Sequence, residues 1–185
     1  MSQGIQPLTL VVMAGAPGSG KTTLALALSR ALGWPVVDKD TLKSPLLEVG
    51  VPEKLAGHAS YELLFEVGRD LLLRQGFSVI LDSPAGYPIV IRKAEALARE
   101  AGAILKFVLC LADYAVREER LAMREKRRSQ WTTAAANLDH GDEQWSRLLP
   151  ADSLFVRTDQ EASDLMPSVI RYLCDVAGRN SPHTR

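Results

Sequence analysis

The sequence predicts an α/β fold, a single parallel sheet of five strands with helices on both faces. Three observations predict it. Short apolar runs alternate with longer helical patterns along the chain. Most of those runs are continuously apolar, as parallel strands covered on both sides are. The first run also feeds a glycine-rich turn, Gly15-Ala16-Pro17-Gly18-Ser19-Gly20-Lys21-Thr22, that opens directly into an alanine- and leucine-rich segment.

Taken in order, the predicted strands are residues 8–13, 35–37, 78–81, 104–111 and 153–157. The predicted helices are residues 21–32, 53–75, 88–101, 113–129 and 161–177. Their ends carry the expected punctuation: Pro52 at a start, Gly76, Gly102 and Gly178 just past stops, and Asp113 as an N-cap. Residues 129–149 fit neither pattern. They carry Trp131 and Trp145, and Asn137-Leu138-Asp139-His140-Gly141 reads as a loop tip. An irregular insert of this size in a compact domain is usually functional or mobile, so residues 125–149 are read as a lid. The competing reading is a solvated excursion whose two tryptophans pack on the core. With a polar tail over residues 179–185, the whole chain, 1–185, reads as one domain, a three-layer sandwich.

Composition narrows the classes of partner. The 185 residues are 46% hydrophobic and 24% charged, which suits a globular domain with a real core. Lys plus Arg and Asp plus Glu both total 22, so the net charge is zero. That argues against broad nucleic-acid binding, which needs a basic surface. Neither of the two cysteines has metal-ligand spacing, and both read as unpaired, which points to a reducing, cytoplasmic setting. No apolar run is long enough for a membrane span. The apolar start lacks the basic segment of a signal peptide, and the small residues after it belong to the glycine-rich turn.

That turn has the spacing G-x-x-x-x-G-K-[ST], which cradles the phosphates of a nucleotide. Glycines let successive N–H groups point inward, and the helix N-terminus adds positive potential. Lys21 is expected at the β- and γ-phosphates and Thr22 on Mg²⁺. The nucleotide-binding set is thus Gly15 through Thr22 together with Thr23.

Other candidate residues sit where strands end. Asp38 and Asp40 follow the second strand, where a carboxylate can accept the proton of an attacking hydroxyl. The alternative is a helix cap before Thr41-Leu42-Lys43. On this reading Asp40 is assigned to catalysis, while for Asp38 the cap carries more weight. Asp82 ends Val79-Ile80-Leu81-Asp82, an arrangement that holds Mg²⁺; a turn before Ser83-Pro84 is the alternative. Arg117, Arg120, Arg124 and Arg128 recur on one helical face, and no glutamate lies three or four residues from Arg120 or Arg124. Either an anion sits there, or the face is solvated and paired with other elements. His58, Ser60 and Tyr61 are candidates for an acceptor pocket. Against that stands a helix that packs on the sheet through Leu55, Leu63, Val67 and Leu71.

Together, the phosphate loop, Val37-Asp38-Lys39-Asp40-Thr41-Leu42-Lys43, Val79-Ile80-Leu81-Asp82 and Arg117-Glu118-Glu119-Arg120-Leu121-Ala122-Met123-Arg124 resemble one clade of P-loop kinases. The clade includes zeta-toxin kinases, polynucleotide 5′-hydroxyl kinases, the chloramphenicol phosphotransferase type and gluconate-kinase-like enzymes. The resemblance covers roughly residues 8–160. It implies the P-loop NTPase fold with a lid, and ATP and Mg²⁺ as cofactors. It implies Lys21 and Thr22 on phosphate and metal, Asp40 as general base, and Asp82 near the metal. Arg120 and Arg124 would lead into the lid and stabilise the transferring group, Arg92 would lie at the substrate, and Thr158 at the adenine. Two departures matter. The loop Ser83-Pro84-Ala85-Gly86-Tyr87-Pro88 lacks the polar acceptor-binding residues of relatives, and the segment 131–136 is uncharged.

These readings converge on ATP-dependent transfer of phosphate to the hydroxyl of a small molecule. The rivals are a polynucleotide 5′-hydroxyl kinase, which zero net charge disfavours, and an ATP-binding switch with slow hydrolysis and no acceptor.

Overall fold

A computed structural model describes residues 7–123, 145, 147–159 and 161–175. The five apolar runs form strands β1 (Thr9–Ala14), β2 (Val36–Asp38), β3 (Val79–Asp82), β4 (Ile104–Leu111) and β5 (Leu154–Arg157). All pair in parallel, in the order β2-β3-β1-β4-β5. The helices are α1 (Lys21–Leu32), α2 (Lys39–Glu48), α3 (Glu53–Arg69), α4 (Pro88–Ala101), α5 (Tyr114–Met123) and α6 (Ala162–Cys174), and a π-helical turn, Asp70–Arg74, continues α3. Among the described residues no helix is long and apolar enough to cross a membrane.

Alternation along β1 divides the core. Leu10 and Val12 face one side, where they join Leu64, Phe65 and Leu72 from the α3 arm and Val90, Ala94 and Leu97 from α4. Val11 and Met13 face the other, with Leu24 and Leu28 of α1 and Val169 and Leu173 of α6. Each central strand is thereby covered on both faces, which is why its sequence is apolar without interruption. Burying the equivalent of one such leucine is worth about 2 kcal/mol.

Two expectations need correction. The first concerns α2, which is absent from the predicted elements and places Asp38 and Asp40 at a helix start. Asp38 ends β2 and caps α2, its carboxylate accepting from the Asp40 N–H and the Thr41 hydroxyl, both at 2.8 Å. Pro45 lies within α2, yet Val49 N–H still reaches the Pro45 carbonyl at 3.1 Å, so the helix runs through. The second concerns the packing face of α3. Leu55, Leu63 and Val67 are exposed, and Ala56, Ser60, Leu64, Phe65 and Gly68 are buried instead. Small residues bring this helix close to the sheet: a Cβ at Gly68 would stand 3.1 Å from Leu81 Cδ2. The strand order, which the sequence does not predict, puts β3 rather than β2 beside β1, so Asp38 at the end of β2 faces the phosphate loop across the end of β3.

At the end of the stretch read as a lid, Trp145 and Leu149 are buried in the core. Residues 124–144, with Arg124, Arg128, Trp131 and His140, lie outside the described residues, as does the polar tail 179–185.

Candidate active site

The carboxyl ends of parallel strands collect on one edge of the sheet, and side chains placed after them converge. Here β1 ends in the phosphate loop, β2 in Asp38, β3 in Asp82 and Ser83, and β5 in Thr158. They enclose a cleft of about 900 Å³. At its centre lie Pro17, Gly18, Gly20, Lys21, Thr22 and Thr23. Asp38, Lys39, Asp40, Asp82, Ser83 and Pro84 form one end, and Arg120, Thr158, Asp159, Glu161, Ala162 and Leu165 the other.

The glycines of the phosphate loop are required by what presses on them. Gly15 has φ +129°, and a Cβ there would lie 2.3 Å from the Cys110 carbonyl oxygen. Gly18, at φ +79°, would place a Cβ 2.7 Å from the carbonyl oxygen of Arg117. The loop is thus clamped between β4 and the first turn of α5, and only residues without a side chain fit. Lys21 Nζ donates to the Ala16 carbonyl at 2.9 Å, folding over the loop whose phosphates it is expected to meet.

Thr22 Oγ1 donates to Asp82 Oδ2 at 2.6 Å. This pairing joins the first residues of α1 to the end of β3, the two positions that sequence assigns to Mg²⁺. A hydroxyl and one carboxylate suit Mg²⁺, which keeps most of its shell for water and phosphate oxygens. The donor set therefore fits, and among the described residues there is no larger acidic or histidine cage. Burial pushes the Asp82 carboxyl above its ordinary 3.8. The Lys21 charge and the Thr22 hydrogen bond oppose that rise, while Asp38 and Asp40 add to it.

Asp40, on the first turn of α2, lines the cleft with its carboxylate 3.1 Å from Lys39 Nζ. Lys39 is buried, with its ammonium 5.4 Å from the centroid of the Tyr61 ring. Tyr61 in turn meets Tyr87 edge-on, ring centroids 6.3 Å apart. Burial first, then Tyr87 and Asp40, push the Tyr61 phenol upward, so it stays an O–H. Of the three α3 candidates for an acceptor pocket, Tyr61 alone approaches the Lys39–Asp40 pair, through Lys39, and it is not among the residues that line the cleft. His58 is exposed, and the buried Ser60 hydroxyl donates to the Gly57 carbonyl at 2.8 Å. Arg92 is exposed on α4 and does not line the cleft.

Arg120 reaches across chain segments. Its guanidinium donates to the Thr158 carbonyl at 2.5 Å, to Thr158 Oγ1 at 3.2 Å and to the Gly18 carbonyl at 3.4 Å. Thr158 Oγ1 donates onward to the Ser19 carbonyl at 2.7 Å. This arginine thus ties the phosphate loop to the end of β5, a partner 38 residues downstream that no helical spacing reveals.

Sequence reasoning missed two contributors. Lys39 lay between the two aspartates it accompanies. Trp145 donates from Nε1 to the Pro84 carbonyl at 2.8 Å, and the same carbonyl accepts the Gly15 N–H at 3.2 Å. The loop that makes these bonds holds Ala85 at φ +50°, fully buried.

Residues 10–167 match the sequence profile of the AAA domain family. Among solved structures, the fold is similar to a candidate kinase from Chloroflexus aurantiacus J-10-fl, with TM-score 0.72 and 22% identity over 91% of this chain and 100% of that one. It is also similar to APS kinase from Mycobacterium tuberculosis in complex with AMPPNP and APS, with TM-score 0.64 and 18% identity over 91% and 99%. A gluconokinase from Sinorhizobium meliloti 1021 follows, with TM-score 0.61 and 22% identity over 94% and 95%. At these identities the likeness is one of fold. No curated protein matches the chain by sequence.

Proposed function

Because the chain belongs to the AAA domain family, we propose that it is an ATP-dependent kinase that phosphorylates a hydroxyl of a small molecule. One observation carries this reading. A single cleft sets the carboxylate of Asp40 at one end, the phosphate loop in the middle and the Arg120–Thr158 junction at the other. That is the order of acceptor, triphosphate and base that in-line transfer needs.

In this mechanism the loop N–H groups hold the triphosphate. Lys21 leaves the Ala16 carbonyl for the phosphate oxygens, where its charge offsets the charge that develops in transfer. Thr22 and Asp82 are the residues that would hold Mg²⁺, which when bound neutralises charge on the β- and γ-phosphates. The acceptor oxygen attacks the γ-phosphorus as the bond to the β–γ bridging oxygen breaks, leaving ADP, and the acceptor proton passes to Asp40. Lys39 orients that carboxylate. Arg120 acts by fixing the loop and the end of β5, through which Thr158 meets the nucleotide. Arg124, Arg92 and Tyr61 complete the set assigned from sequence. The protein's contribution is positioning and electrostatics, because phosphoryl transfer asks for little covalent help.

The test is transfer from γ-labelled ATP with Mg²⁺ to a broad panel of hydroxyl compounds, with Lys21→Ala as the blank. Asp40→Asn is expected to lower turnover by roughly 10²–10⁴ and to leave ATP affinity nearly unchanged. Unchanged turnover would remove Asp40 from the mechanism. Label released only as free phosphate, whatever the acceptor, would favour a nucleotide-driven switch.

A further inference from the structure

Helix α3 turns two rows of side chains toward solvent, and one of them is apolar. Residues four apart share a ridge on a helix surface. Leu55, Ala59, Leu63 and Val67 form such a ridge. Its three large members are between 39% and 58% exposed, and Ala59 is half-buried. One residue earlier runs a charged row, Lys54, His58, Glu62 and Glu66, extended by Asp70 of the π-helical turn. Helix α4, which packs on the same core, shows a contrasting outer face. Beyond its first turn it exposes Arg92, Glu95, Ala96, Arg99 and Glu100. Exposed apolar side chains scattered singly need no explanation. An aligned row of them is a ridge that can interlock with the like ridge of a second helix.

The charged row tells what that second helix is. It is basic at its start, with Lys54 and His58, and acidic at its end, with Glu62, Glu66 and Asp70. A row polarised in this way complements itself when reversed. A twofold axis midway between Ala59 and Leu63 sets a second α3 antiparallel to the first, with Leu55 opposite Val67 and Ala59 opposite Leu63. The same axis keeps like flank beside like flank, so Lys54 of each copy comes to Glu66 of the other. Lys54 is exposed and has no ion pair among the described residues. Glu66 is loosely held: its ion-pair partner among those residues is Arg69, at 3.4 Å, and Arg69 also binds Glu100. Glu62 and Asp70 pair with Lys93 and Arg74, so they add negative potential rather than new contacts.

We propose that α3 is the interface of a homodimer, an antiparallel helix pair with the apolar ridge in its seam and two Lys54–Glu66 pairs along its flank. One helix pair lies at the low end of specific interfaces, so the association is weak and depends on concentration.

The experiment is sedimentation of the full chain at low salt, from micromolar to millimolar concentration. The mass is expected to rise from 20.2 kDa toward twice that value. Leu63→Glu should weaken association roughly tenfold or more, because it puts a charge in the seam. Lys54→Glu and Glu66→Lys should each weaken it about tenfold by setting like charges across the flank. Mixed in equal amounts, those two variants should associate as the wild type does, since each then meets the opposite charge in the other. A chain that stays monomeric throughout would overturn the proposal, and so would a dimer indifferent to Leu63→Glu. A mixture no better than either charge variant alone would overturn it as well, whether another register or a damaged fold is the cause.

Discussion

Asp82 is the residue where function and stability pull against each other. Its carboxyl is raised by burial above its ordinary 3.8, so between that value and its folded-state pKa the folded protein holds a proton that the unfolded chain releases. Stability in the absence of nucleotide and Mg²⁺ should accordingly fall as pH rises through this window. Asp82→Asn should flatten that fall, raise the melting temperature near neutral pH and abolish transfer. A melting curve against pH for both proteins checks the sign, and a wild-type curve that climbs through the window would contradict it. Residues of this kind are legible in sequence because their partners are near in the motif or follow a strand. Gly15, Gly18, Lys21, Thr22 and Asp82 all fall where the spacing places them. Arg120 also lines the cleft, but its partner was not legible, since a helical face records its neighbours on the helix and not a carbonyl at the end of another strand. For the same reason the burial of Lys39 under Tyr61 has no signature in the sequence.

At the scale of elements, α3 shows how a correct period can carry the wrong phase. Apolar residues occur on two sides of this helix, and the side with more leucines is the exposed one. Small residues decide the matter, because Ala56, Ser60 and Gly68 let the backbone approach β3 where larger side chains would hold it off. Two glycines of α3 then separate by environment. Gly57 has no neighbour within 4 Å of a Cβ, so Gly57→Ala should add up to about 1 kcal/mol through helix propensity alone. Gly68 faces Leu81, so Gly68→Val should cost about 1–3 kcal/mol by overpacking. Denaturant midpoints measure both, and equal effects at the two positions would refute the packing face. The helix α2 escaped sequence reasoning for a related reason. Pro45 is a breaker by habit, yet the helix that Asp38 caps runs past it and packs against α3.

For the whole molecule, the alternation of strands and helices was enough to reach the fold class, and the parallel five-stranded sheet follows it. Strand order was not legible. Nothing local in residues 35–37 or 78–81 says that β3 inserts between β1 and β2, because that choice is made by helices packing on the finished sheet. The order has a consequence for the site: the last residues of β1, β3 and β2 are neighbours in that sequence, so loop, Asp82 and Asp38 form a continuous rim.

The bond from Trp145 to the Pro84 carbonyl gives the molecule an optical reporter. An indole buried at 2% exposure donates to the same oxygen that receives the Gly15 N–H, so it stands one shared acceptor away from the phosphate loop. The chain has three tryptophans, and Trp34→Phe with Trp131→Phe would leave Trp145 as the sole emitter. Its fluorescence should shift as ATP orders the loop and the field at that carbonyl changes. Emission indifferent to saturating ATP would show that the Pro84 bond is insensitive to the occupancy of the loop beside it. With the expected shift, nucleotide binding becomes visible in real time, without isotope and before any acceptor is in hand.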